Sequence, residues 1–189
     1  MNQTLFLSCL FFMMACKEEN PVPRPASYLR LELPDHSYTT YSDGCDYSFD
    51  VSELYQVLPA PAENGNECHK RIELGPLNGT AYIRYWNIGG EPLAFFVNSA
   101  NDEIDRHKLK ADNIADENII RESDRVFGTF FELQGDVATP FQFYLTDSIS
   151  HFLYCEVLFN SAPNYDSLRP TLQYVKKDLK HLTETLQWK

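Results

Sequence analysis

RVFGTFFELQGDVATPFQFYLTDSISHFLYCEVLF, residues 125–159, holds three runs dense in Phe, Tyr, Leu and Val, at 125–134, 140–147 and 151–159. Aromatic and β-branched side chains fit a pleated, half-buried surface. The linkers GDVAT and SIS have turn composition and are too short for a crossover, so the runs read as an antiparallel meander. Both faces of these strands carry large apolar residues. Such a sheet needs cover on both sides.

Downstream, Leu168, Leu172, Val175, Leu179, Leu182 and Leu186 alternate spacings of four and three, a continuous apolar stripe along a helix. Asp166 or Ser167 can cap its start, and Pro170 falls in the first turn, where little backbone bonding is lost. A coiled coil would show the same spacing, but the strands need the stripe. Upstream, GGEPLAFFVNSANDEIDRHKLKAD (89–112) repeats apolar residues at Leu93, Phe96, Val97, Ala100 and Ile104, so it predicts a second amphipathic helix, with Pro92 tolerated at its start.

The first half of the chain reads as short strands at 28–34, 37–41, 47–51, 71–74 and 79–88, bounded by Pro, Asp and Gly. In the last of these Ala81, Ile83 and Tyr85 share one face, and Tyr82, Arg84 and Trp86 the other. Residues 52–69 read as a loop. The expected order is β-β-β-β-β-α-β-β-β-α. This is an α+β domain with an antiparallel sheet of about seven to eight strands flanked by two main helices. It resembles the PsbP/Mog1 arrangement, which hosts binding proteins more often than enzymes.

Residues 5–15, LFLSCLFFMMA, are apolar except for Ser8. A membrane-spanning helix needs about 20 such residues; a run this short suits the core of a secretory signal. MMAC (13–16) resembles the lipobox of bacterial lipoproteins, in which the Cys16 thiol takes a diacylglycerol and cleavage follows Ala15. Residues 1–15 are then a lipoprotein signal peptide, 16–27 a lipidated cysteine with a Pro-rich tether, and 28–189 one globular domain. Prolines 21, 23 and 25 favour an extended chain, a stalk of roughly 30 Å. The KEE behind Cys16 reads either as a solvated tether or as a surface-export signal of the Bacteroidota kind.

A formal net charge of −11 repels nucleic acid and anionic lipid, which sets nucleic-acid binding aside. The lysines of VKKDLKH (175–181) read as a solvated helix face. Cys45 and Cys68 lie in turn-rich surroundings. An oxidising envelope compartment favours a bridge between them, and two free thiols are the alternative. Closing that loop would stabilise the fold by about 3 kcal/mol. Cys155, inside an apolar run, reads as a buried, inert thiol. No Cys and His spacing suggests zinc, and no cofactor motif appears.

Chemistry leaves few candidates. Asp147, Ser148 and His151 form the one conceivable hydrolase trio, although Asp-Ser at a turn is ordinary turn chemistry. His107 and His181 read as solvated flanks of helices. DSI (147–149) and DSL (166–168) resemble short O-glycosylation sequences of Bacteroidota, which makes Ser148 and Ser167 candidate modification sites. Tyr82, Trp86 and Trp188 are candidate surface aromatics for a protein or glycan partner.

With these segments placed, the chain resembles the gliding-motility lipoprotein family GldD of Bacteroidota. The resemblance rests on PRPASYLRLELP (23–34), CDYSFD (45–50), HKLKADNI (107–114) and above all the C-terminal stretch 142–189. It implies a non-enzymatic, lipid-anchored protein of the cell envelope, on the outer membrane and facing either the periplasm or the exterior. It implies a part in gliding, or in the linked secretion and assembly machinery, through protein partners. Cys16 matches the lipid site and Cys45 and Cys68 the family's paired cysteines. Two alternatives remain in other classes: a lipid-anchored hydrolase or glycan-active enzyme, and a small-ligand carrier.

Overall fold

The computed structural model describes residues 32–60, 67–160 and 165–189. The expected signal segment, Cys16 and the expected tether lie outside the described residues. Among the described residues ten strands and two α-helices follow in order: β1 (Tyr38–Ser42), β2 (Tyr47–Ser52), β3 (Gln56–Pro59), β4 (Lys70–Glu73), β5 (Gly79–Asn87), α1 (Leu93–His107), β6 (Ala111–Arg121), β7 (Val126–Gly135), β8 (Phe141–Thr146), β9 (His151–Phe159), α2 (Tyr165–Thr185) and β10 (Gln187–Trp188). Seven strands form one antiparallel sheet in the order β3-β4-β5-β9-β8-β7-β6, and β1-β2-β10 form a small second sheet. The class is α+β, as the patterning requires.

The expected two-sided cover is present. Alternate residues of the central strands point to opposite faces. Ala81, Ile83 and Tyr85 of β5 and Leu153, Cys155 and Val157 of β9 join a main core with Phe49 of β2 and Leu172, Val175, Leu179 and Leu182 of α2. On the other face Phe152 and Tyr154 of β9 and Trp86 of β5 pack with Phe96, Val97 and Ala100 of α1. Ile104 of α1 closes a third cluster with Leu133 and Val137. Each large buried side chain contributes about 1.5–3 kcal/mol relative to exposure. Cys155 is fully buried, which pushes its thiol up and leaves it inert.

Four segments differ from expectation. Residues 32–34, the described part of the strand expected at 28–34, form no ladder; Leu33 and the nearby His36 are held by their side chains instead. The loop read at 52–69 contains β3, whose four residues are too few to show a period. β6 was hidden because ADNIADENIIR is rich in residues that strands disfavour. It forms on the edge that β7 offers, paired from Ala111↔Gly135 to Arg121↔Val126. Gln187 and Trp188, just beyond the expected stripe, form the unforeseen strand β10 against β2.

Two glycines are required by close approach. A Cβ at Gly128, in β7, would overlap the Tyr144 carbonyl oxygen. Gly135 has φ +113° and faces the register shift at Ala111/Asn113, where a side chain would meet the Asp112 nitrogen at 2.8 Å. At the end of α2, Arg121 donates to the Thr183 and Leu186 carbonyls, which satisfies part of the helix terminus. α2 itself begins at Tyr165, so Asp166 and Ser167 fall within its first turn rather than before it.

Candidate functional site

The imagined trio does not assemble as a catalytic relay. Asp147 Oδ1 accepts the backbone N–H groups of Ile149, Ser150 and His151 at 2.8–2.9 Å, closing the β8–β9 turn. Burial raises its carboxyl, but those three bonds outweigh burial and hold it below the ordinary value. His151 turns to the Tyr85 hydroxyl, 2.7 Å from Nδ1, and stacks on Trp188. Ser148 is exposed at the turn with φ 69°. The Ser167 side chain lies outside the described residues.

Cys45 and Cys68 form a disulfide with Cα atoms 5.6 Å apart. Around it the buried Lys70 ammonium meets Asp43 at 2.8 Å and donates to the Glu67 carbonyl. The Lys189 ammonium donates to the Asp43 and Cys45 carbonyls. One disulfide, one ion pair and three hydrogen bonds to backbone carbonyls therefore hold the same loop.

His107 and His181 are half-buried, not solvated. His107 begins a polar chain through Thr139 and the fully buried Gln142 to the Tyr154 hydroxyl. His181 stacks on Tyr38 with centroids 3.7 Å apart. In the helix face read as solvated, Lys176 and Lys180 are ion-paired to Glu132 and Glu117 across to β7 and β6, and Asp178 is buried. The signal for Asp178 was its place three residues after Val175 and four before Leu182, inside the apolar stripe.

The feature suited to recognition is a groove of about 270 Å³ between α1 and the outer face of β5 and β9. Its floor is Trp86, Phe152 and Tyr154; Phe96 and Ala100 form the seam with the helix. Phe95, Ser99 and Glu103, one helical turn apart, form its rim. Phe95 is 62% exposed. At the other wall Arg84 pairs with Glu156 at 2.8 Å on adjacent strands. Trp86 was foreseen from the sequence, half-buried here against Phe96 and Phe152. Phe95 was not, although it is the large apolar residue that falls off the stripe of Leu93, Phe96, Val97, Ala100 and Ile104. Trp188 instead anchors β10, its indole N–H donating to the Arg125 carbonyl.

The groove opens on the face opposite the entry of the N-terminal segment. Leu33 packs into the main core, and His36 and Tyr38 bond to Asp178 of α2. Among the described residues no helix is long and apolar enough to cross a membrane, and no group of three or more His, Cys, Asp or Glu could hold a metal ion.

Among solved structures, the chain is similar to cyanobacterial PsbP (CyanoP) from Synechocystis sp. PCC 6803, with TM-score 0.49 and 12% identity over 89% of this chain and 100% of that one. No curated protein matches it. The family model for the gliding motility lipoprotein GldD matches residues 18–188, nearly the whole chain, and the protein therefore belongs to that family.

Proposed function

We propose that this protein is a lipid-anchored docking subunit of the cell envelope, serving gliding motility or the secretion machinery linked to it through protein–protein contacts. Cys16 carries the lipid, residues 17–27 set the distance from the membrane, and the domain holds a partner. Its place is the outer membrane, on the periplasmic or the outer side. It acts without turnover and without a cofactor.

The observation that carries this reading is the exposed Phe95 at the rim of an aromatic groove. Ligand pockets run to about 300–1,000 Å³ and enclose most of their ligand. A groove of about 270 Å³ holds one or two side chains of a partner rather than a whole small molecule. Aromatic anchors of this kind dominate the energetics of protein interfaces. The N-terminal segment enters on the α2 side, so the groove stays clear of the tether's point of entry.

The experiment places a photocrosslinking residue at Phe95 in the full lipidated protein, in its native host. The expected result is an adduct with a gliding or secretion component, weakened at least tenfold by Trp86→Ala or Phe152→Ala. A protein recovered from the cytosol with Met1 intact would overturn the anchored reading. An adduct pattern unchanged by the groove variants would overturn the docking surface.

A further inference from the structure

β6 closes one end of the seven-stranded sheet and is paired along one side only. It is eleven residues long and meets β7 along its length. In an antiparallel ladder every second residue turns its N–H and C=O away from the neighbour. Among the described residues, no other backbone segment bonds to those outward groups.

Exposed edges usually carry a guard: short length, Pro, lysines or a bulge in mid-strand. The opposite edge has two of these, since β3 runs four residues and ends on Pro59. β6 has no Pro, Lys or bulge along its middle; its one register shift lies at its start, between Ala111 and Asn113. The charged side chains it does carry there are negative, a guard against another acidic strand but not against a basic one. Asp112 and Asp116 form no ion pair among the described residues, while Glu117 is tied to Lys180. Two residues past the mid-strand acids, on the same face as Asp116, come Asn118 and then Ile120, which is 67% exposed.

We infer that β6 takes up an extended, basic segment of a partner protein by strand addition. The segment's backbone completes the ladder, its Lys or Arg side chains meet Asp112 and Asp116, and an apolar residue covers Ile120. A second copy of this chain is a poor occupant. Antiparallel self-pairing would set one acidic strand against another, and like charges across a strand pair destabilise it. The surface is separate from the aromatic groove: β8 and β7 stand between β6 and the groove strand β9. The two therefore stand or fall independently.

The test uses the full-length protein in detergent with two synthetic peptides about ten residues long, one alternating Val with Lys and one alternating Val with Glu. Amide hydrogen exchange is read strand by strand. The Lys peptide should slow the outward-facing β6 amides about tenfold or more and leave β3 unchanged; the Glu peptide should not. Asp112→Lys with Asp116→Lys should abolish the protection of β6 while β9 stays protected, which shows that the variant is folded. Absence of protection, equal protection by both peptides, or protection that grows with protein concentration without peptide would each overturn the inference, the last in favour of a second copy.

Discussion

Tyr55 donates its hydroxyl to Oδ2 of Asp178 over 2.6 Å, joining the turn after β2 to the middle of α2. The other oxygen of the same carboxylate accepts from Tyr38 at 3.0 Å and lies 2.6 Å from Nδ1 of His36. The Asp178 side chain is only 2% exposed. A carboxylate this deep is tolerable because its lone pairs are used. It fastens the segment that leads into β1 to the helix that covers the main core.

Asp178→Ala should therefore cost about 3 kcal/mol, since it strands two hydroxyls and a ring nitrogen as well as losing the carboxylate. In a domain of this size that lowers Tm by about 6–12 °C. Tyr55→Phe removes one donor and should cost about 2 kcal/mol. Urea melts of the three proteins check the order; equal stabilities would contradict it.

Asp43, like Asp147, contributes to the acid limb of the stability curve. Burial raises its carboxyl, but Lys70, the Cys45 amide and the Tyr41 hydroxyl outweigh burial and hold it below 3.8, its ordinary value. A folded value below the unfolded one gives a contribution that is complete above the unfolded value and lost as pH falls through the folded one. The Asp43 contribution should thus be complete above about pH 5 and decline below about pH 4. Asp43→Asn should lower the plateau and shallow that decline, measured by denaturant melts across pH.

Reducing the Cys45–Cys68 bond should cost about 3 kcal/mol on the chain-entropy account. Lys70 and Lys189 grip the same loop, so the cost of Cys45→Ala with Cys68→Ala should not add to that of Lys70→Ala. A double-mutant cycle by calorimetry measures the coupling, and strict additivity would deny it.

Gly128→Ala should be among the most damaging single methyl additions. The Cβ would overlap the Tyr144 carbonyl oxygen, and the three nearest atoms are all β8 backbone, which cannot swing aside. A loss of about 3 kcal/mol is expected, with early exchange of β7 and β8 amides. Ala at the exposed Gly90, where nothing lies within 4 Å, should be nearly silent.

What was legible in the residues is what burial writes into a period. Ala81, Ile83 and Tyr85 on one parity, and the stripe from Leu168 to Leu186, both announced their faces. β6 carries no such writing, because its side chains are mostly exposed and its backbone is ordered by β7. Asp178 stood out inside the apolar stripe, but its donors did not, since they come from residues 36, 38 and 55, far along the chain. The groove was half visible, with Trp86 marked as a candidate and Phe95 overlooked because a lone apolar residue on a helix flank is usually incidental.

β9 stands fourth of seven in the main sheet, and its alternate residues belong to both cores, Leu153, Cys155 and Val157 to one and Phe152 and Tyr154 to the other. Neither layer can loosen without baring the strand that the other rests on. The domain should accordingly melt as one cooperative unit, and a truncation that keeps only the groove side or only the α2 side should yield no foldable module.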